Sequence, residues 1–353
     1  MDKMIGVLTG GGDAPGLNAY LRGISATAAR LGVQVVGIRN GFDGLLRPER
    51  YGGKGLVDLA DVLDRRDLFE PGSVLGSASS GFPSLSAEYA RELASILRDR
   101  GLHALLMIGG EGTQAISRAL HRVDFPVIGL PKTIDNDLPG APGSIGFDSA
   151  VEFLADSMHG LRRHAGAHDR VVLLETMGRS TGWLALCSAL AGDADGVLIP
   201  ELPYRFAAVE KFVCSANGPL LLVVAEGAHE RGTPAPPPKG LGGVSRVLAD
   251  RLEATTGREI RAVVPSHLQR AAAPVASDRL LGLRLGSAAV ECLLAGERGV
   301  LLYWDGSRVR SVPLSETSGV RSVPLDGDDL RTARSLGVFL GEHPLPGSGT
   351  VTV

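Results

Sequence analysis

The sequence predicts an α/β protein with parallel sheets, folded as two domains. Three observations carry this. Short runs that are apolar on both faces recur along the chain: IGVLT (5–9), VQVVGI (33–38), ALLMIGG (104–110), PVIGL (126–130), RVVLLE (170–175), GVLIP (196–200) and LLLVVAE (220–226). Such runs read as buried parallel strands. Between them lie segments with apolar residues three and four apart, such as 17–32 and 88–101, which read as helices. A length of 353 residues exceeds what one hydrophobic core usually serves, so two domains are expected.

The run IGVLT ends in Gly10, Gly11, Gly12 and Asp13, and the helix 17–32 follows. After VQVVGI and the helix 88–101, ALLMIGG runs into GGEGT (109–113), and PVIGL runs into PKTIDND (131–137). RVVLLE is followed by MGRSTG (177–182), then GVLIP and LLLVVAE. Open α/β sheets bind ligands at the carboxyl ends of their strands, where these glycine-rich and acidic strings fall, which points to one shared cleft. Glycines that only make tight turns explain any single string equally well, but not all of them with acids attached. Residues 231–240 (RGTPAPPPKG) predict an exposed loop. The hexapeptide VRSVPL occurs at 309–314 and again at 320–325, and both copies are expected as short surface β segments without chemistry.

Hydrophobic residues make up 44% of the chain and charged ones 21%, an ordinary globular balance. A net charge of -3 gives no basic field for nucleic acid or anionic membrane. Lys3, Lys54, Lys132, Lys211 and Lys239 are the only lysines, so each merits inspection. Cys187, Cys214 and Cys292 are odd in number and lack metal-ligand spacing, which predicts reduced thiols in a cytoplasmic protein. No apolar stretch approaches a membrane span or a signal peptide.

Gly10 to Asp13 would present backbone N–H groups to an anion at a helix start, although no Lys-Ser/Thr follows as in a P-loop. In GGEGT, Gly109, Gly110 and Gly112 admit phosphates to the backbone beside Thr113, and Glu111 can hold a magnesium ion bridging two of them. The alternative there is a plain strand-to-helix turn with Glu111 at a helix N-terminus. In PKTIDND, Asp135 and Asp137 are two apart, which in extended backbone places both carboxylates on one face. Phosphoryl transfer uses such a pair, one to accept a hydroxyl proton and one to position substrate or cation, with Lys132 neutralising the phosphoryl charge. A solvated Asx-type turn is the competing account.

TGGGDAPGLN (9–18), GGEGT, PKTIDND, IGFDSA (145–150), MGRSTGW (177–183), VAEGA (224–228) and REIRAVVPSHLQR (258–270) together resemble the successive motifs of 6-phosphofructokinases. The resemblance spans residues 5 to about 300, and the combination of Gly112 with Lys132 looks like that of an ATP-using group of actinobacterial members. It implies two Rossmann-like three-layer domains with the active site in the cleft between them: residues 1–145 plus 268–305 for the phosphoryl donor, and 146–267 plus 306–353 for the sugar phosphate. It also implies Mg2+ and ATP, a glycolytic role and a homo-oligomer, dimer or tetramer, that shares its substrate site between subunits. By the same resemblance Gly11 and Gly12 contact the transferred phosphoryl group, Glu111 binds the metal, and Asp135 is the base, with Thr133 and Asp137 beside it. Arg179 stabilises the transition state, and Met177, Gly178 and Glu226 hold sugar hydroxyls. Arg170, Arg261, His267 and Arg270 bind the 6-phosphate, for which the planar guanidinium fork is suited.

By the same resemblance, a glycine at the position of Gly112 leaves room for a nucleotide α-phosphate and favours ATP, whereas Lys132 resembles the pyrophosphate-dependent enzymes. Three departures bear on the acceptor and on regulation. Ser79 stands where the family commonly has an arginine that reaches the phosphoryl group, Ala271, Ala272 and Ala273 replace the usual glycines, and Ala26 replaces an effector-binding arginine. They leave room for a paralogue acting on another sugar phosphate. A non-catalytic binding protein would not need both aspartates, Glu111 and Arg179 together, and a dehydrogenase would need the absent G-x-G-x-x-G spacing.

Overall fold

The computed structural model describes residues 4–78, 85–235 and 243–342. It divides into two compact units, residues 1–150 with 270–321 and residues 151–269 with 322–353. The strands are β1 Met4–Thr9, β2 Val35–Ile38, β3 Leu56–Asp58, β4 Leu102–Gly109, β5 Val127–Pro131, β6 Val171–Thr176, β7 Gly196–Leu198, β8 Leu220–Ala225, β9 Ile260–Val263, β10 Val300–Trp304 and β11 Val309–Pro313. All seven strands expected from the apolar runs are present.

The first unit holds a seven-stranded sheet in the order β11-β10-β5-β4-β1-β2-β3. Its interior pairings are parallel and its two outermost pairings, β2–β3 and β10–β11, are antiparallel. The apolar runs fill both faces. Tyr20, Leu21 and Ile24 of the helix Leu17–Leu31 pack with Leu285 and Val290 on one side. Leu93, Leu97 and Leu120 pack on Leu105 and Met107 on the other. Each fully buried leucine contributes about 1.5–3 kcal/mol. The helices Leu17–Leu31 and Ala276–Leu294 meet backbone to backbone, because a Cβ at Gly23 would lie 2.6 Å from the Leu283 carbonyl oxygen and one at Gly286 2.4 Å from that of Tyr20.

The second unit holds four parallel strands in the order β7-β8-β6-β9. Leu173, Leu222 and Val224 meet Val209, Val213, Leu248 and Leu252 in its core. Phe339 stacks on Phe212 at a centroid distance of 4.3 Å.

Two expectations need correction. The last crossing between units lies at 321/322 rather than 305/306, because β11 pairs antiparallel with β10 and keeps residues 306–321 with the first sheet. The other crossings lie at 150/151, inside the helix Phe147–His168, and at 269/270. Only the first VRSVPL copy becomes a strand; the second forms none, and its Val323 is instead buried, with its N–H donated to Glu201 Oε1 at 2.9 Å. In the proline-rich stretch residues 231–235 are exposed, and the rest lies outside the described residues. Among the described residues no helix is long and apolar enough to cross a membrane, and Cys187, Cys214 and Cys292 form no disulfide.

Candidate active site

In the first unit the ends of β1, β4 and β5 bring three of the singled-out strings together. Gly10 N–H donates to Ile108 O at 2.8 Å, and Lys132 N–H donates to Gly109 O at 3.2 Å. A Cβ at Gly10 or Gly109 would fall 2.5 or 2.2 Å from Thr113 Oγ1, so the Thr113 hydroxyl fits only between two glycines. Gly11 has a φ of +81°, a conformation that favours glycine, and its missing Cβ would lie 3.3 Å from Lys132 Nζ. Beside it, a Gly12 Cβ would lie 3.1 Å from Arg270 Nη1. Lys132 Nζ donates to Gly12 O, and Arg270 Nη1 donates to Asp13 O at 3.1 Å. Two cations therefore face one run of glycine backbone, the arrangement that receives a phosphate.

Lys132 is 3% exposed, and its ammonium is pushed down to about 7 by burial first and by the Arg270 guanidinium second, against the opposing pull of Asp13 and Asp135. An arriving phosphate adds negative charge and restores the proton.

PKTIDND is a turn rather than the expected extended segment. Thr133 Oγ1 accepts from Asp135 N–H at 3.1 Å and donates to Asp137 Oδ1 at 3.3 Å, and Asn136 takes a φ of +51°. Ser144 Oγ donates to Thr133 O at 2.6 Å, fixing the turn from behind. The Thr133 hydroxyl thus joins the two aspartates that strand periodicity was expected to align.

Glu111 opens the helix Glu111–Arg122, and its Oε1 pairs with Arg118 Nη2. Nothing lies within 4 Å of a Cβ built on Gly112. No group of three or more His, Cys, Asp or Glu residues able to hold a metal occurs among the described residues. Mg2+ binds through one or two carboxylates and takes its remaining oxygens from phosphates and water. Glu111, one carboxylate beside a phosphate cradle, would hold it.

Sequence reasoning missed the supports of this site. Gln114 Nε2, fully buried, donates to Met107 O, Gly109 O and Leu130 O at 3.2, 3.0 and 3.3 Å, tying β4 to β5. Asp278 accepts from Gly146 N–H, Ser149 N–H and Ser149 Oγ at 3.0, 2.9 and 2.5 Å, and burial raises its carboxyl to about 6. A buried glutamine next to GGEGT was the one available signal; Asp278 offered none.

In the second unit the ends of β6 and β8 place MGR beside EG. Glu226 N–H donates to Thr176 O at 2.9 Å, and Gly227 has no Cβ because one would sit 1.9 Å from Arg179 O. Met177 is buried with its N–H on Gln269 Oε1 at 3.0 Å; Gly178 has a φ of +114°; Arg179 is exposed. Arg170 Nε lies 2.6 Å from Glu259 Oε2, and Arg261 Nη2 takes the other oxygen of the same carboxylate. Arg170 beside it holds the Glu259 carboxyl below its usual range. The four residues expected as one phosphate cluster are thus divided: Arg170 and Arg261 share Glu259, the exposed His267 is within hydrogen-bonding distance of Ser266 Oγ, and Arg270 lies in the first unit at Gly12. Ser79 lies outside the described residues.

Comparison with known proteins gives consistent matches. The sequence model of the family described as Phosphofructokinase matches residues 4–293. An ATP-dependent 6-phosphofructokinase of Chloroflexus aggregans is 42% identical over 97% of this chain and 98% of its own. A pyrophosphate–fructose 6-phosphate 1-phosphotransferase of Dictyoglomus thermophilum is 37% identical over 90% and 94%. The solved pyrophosphate-dependent phosphofructokinase of Marinobacter aquaeolei superposes with a TM-score of 0.78 at 24% identity over 98% of this chain and 94% of that one, which bears on fold alone.

Proposed function

Because the chain belongs to the phosphofructokinase family and is thereby a phosphotransferase, we propose that it moves the γ-phosphoryl group of ATP to the 1-hydroxyl of fructose 6-phosphate. The open space at Gly112 carries the choice of donor, since a side chain there would project where a nucleotide's α-phosphate must pass. Asp135 accepts the proton of the 1-hydroxyl, whose oxygen attacks the γ-phosphorus as the bond to ADP breaks. Asp137, tied to the same Thr133 hydroxyl, orients the pair. Gly11, Gly12, Gly109, Gly110 and Thr113 form the phosphate cradle, with Lys132 and Arg270 offsetting its charge. A Mg2+ ion on Glu111 would neutralise charge on the donor phosphates when bound. Met177, Gly178 and Glu226 would hold the sugar, Arg179 would stabilise charge in the transition state, and Arg170, Arg261 and His267 would bind the 6-phosphate, part of it supplied by a neighbouring subunit of a cytoplasmic homo-oligomer.

Pyrophosphate is the second reading, favoured by the buried Lys132 against Gly11 and Gly12. A coupled assay crossing ATP and pyrophosphate with several sugar phosphates decides both substrates. Turnover with pyrophosphate alone overturns the donor, and faster turnover on another sugar phosphate overturns the acceptor.

A further inference from the structure

The segment running from the end of the first VRSVPL copy into the second touches the surroundings of both carboxylates in the first unit. Thr317 is fully buried, and its hydroxyl donates to Leu314 O at 2.8 Å. Leu314 N–H in turn donates to Gly299 O at 2.8 Å, next to β10, so this end of the stretch is fixed to the sheet. Arg118 Nη1 donates to Thr317 O at 3.1 Å and to Thr317 Oγ1 at 3.2 Å, while Nη2 of the same guanidinium holds Glu111 Oε1. The Arg118 side chain is only 10% exposed. A planar guanidinium anchored along one edge presents its other edge in one orientation, which fixes the carboxylate it meets.

Four residues on, Arg321 makes two contacts with the PKTIDND turn. Its N–H donates to Asp137 O at 2.8 Å, and its Nη2 donates to Asn136 O at 2.6 Å. Asn136 is the residue with the left-handed φ, and it stands between the two aspartates. A left-handed non-glycine residue costs roughly 1 kcal/mol or more and persists where its surroundings hold it. Arg321 is the last residue of the first unit before the chain crosses to the second.

We propose that Leu314–Arg321 is a brace that positions both acids, Thr317 acting through Arg118 on Glu111 and Arg321 acting on the Asn136–Asp137 turn. The inference rests on the roles given above to Glu111 and Asp135. Arg118 and Arg321 act through Glu111 and the Asn136–Asp137 turn, as positioning residues. Their loss therefore changes different kinetic quantities: Arg118 the need for metal, Arg321 the chemical step.

Steady-state kinetics on the full chain, with Mg2+ and sugar phosphate varied, and calorimetric titration of Mg2+-nucleotide binding without sugar phosphate test this for Arg118→Met, Arg321→Met, the two Arg→Lys variants and Glu111→Gln. Arg118→Met is expected to raise half-saturating Mg2+ about 10-fold, the size found for residues that orient metal ligands. Arg321→Met is expected to lower kcat about 10- to 100-fold with the sugar-phosphate KM held within about twofold. Each lysine variant should recover part of the loss. Variants that only melt earlier, with unchanged Mg2+ requirement and kcat at a temperature where they are folded, overturn the brace. A shifted Mg2+ requirement in Glu111→Gln without one in Arg118→Met also overturns it, while leaving the metal role of Glu111 intact. If Glu111→Gln leaves the Mg2+ requirement unchanged, the metal role itself falls and takes the Arg118 half of the brace with it.

Discussion

At the scale of single residues, Lys132 shows what a sequence conceals. Its charge and its place in PKTIDND were legible; its burial, which with the Arg270 guanidinium brings proton loss down to about pH 7, was not. The sign of the consequence follows. The protonated ammonium attracts the donor's phosphates, and the free enzyme loses that proton as pH rises through about 7. kcat/KM for the donor should therefore fall above pH 7, and kcat should fall only at higher pH, because a bound phosphate raises the lysine's pKa. Lys132→Met should flatten the kcat/KM limb while lowering its plateau, as a pH-rate profile will show. Gly112→Asp should raise the KM for ATP at least about tenfold, since a carboxylate enters the space left for an anionic phosphate; a donor titration measures it. Asp135→Ser should abolish turnover while calorimetry still detects sugar-phosphate binding.

At the scale of elements, the buried strands were legible because parallel strands are apolar on both faces. β3 was missed because three residues carry no period, and β9 because Arg261 interrupts an edge strand. PKTIDND was expected to be extended, with a turn as the competing account, and the Thr133 hydroxyl makes it a turn. The crossing of the helices Leu17–Leu31 and Ala276–Leu294 was invisible, since glycines as far apart in sequence as Gly23 and Gly286 reveal nothing of their meeting. Gly286→Ala should cost roughly 1–3 kcal/mol, because its methyl group meets the Tyr20 backbone oxygen, which has little room to retreat. Chemical denaturation will measure it, with Gly160→Ala, where nothing lies within 4 Å, as the control that should not destabilise.

At the scale of the molecule, the number of units was legible from length, and their boundaries only in part. The chain crosses between units three times, and the last crossing moved by sixteen residues because a β hairpin claimed the stretch. Which residues of the phosphate cluster belong to one unit could not be read either, since REIRAVVPSHLQR is cut between Gln269 and Arg270. If the sugar phosphate is held jointly by two subunits, Asp135→Ser and Arg261→Ala proteins, each inactive alone, should regain turnover when mixed under conditions that exchange subunits. Failure to regain it, with exchange verified by mass spectrometry, counts against a shared site.

The repeated hexapeptide has a consequence for how the chain finds this fold. Two identical segments offer β10 the same edge partner, so side chains cannot tell the right one from the decoy eleven residues downstream. Besides the contacts each copy makes with its surroundings, the turn distinguishes them. Asp305 Oδ1 accepts from Ser307 N–H and Arg308 N–H at 2.8 and 2.9 Å, and its Oδ2 accepts from Arg310 Nε at 2.8 Å. Closing the longer loop costs only about 1 kcal/mol more by chain entropy, so local chemistry at one aspartate makes most of the choice. The selection is thus a race between neighbours, and an Asp305→Ala chain would enter it with its head start removed.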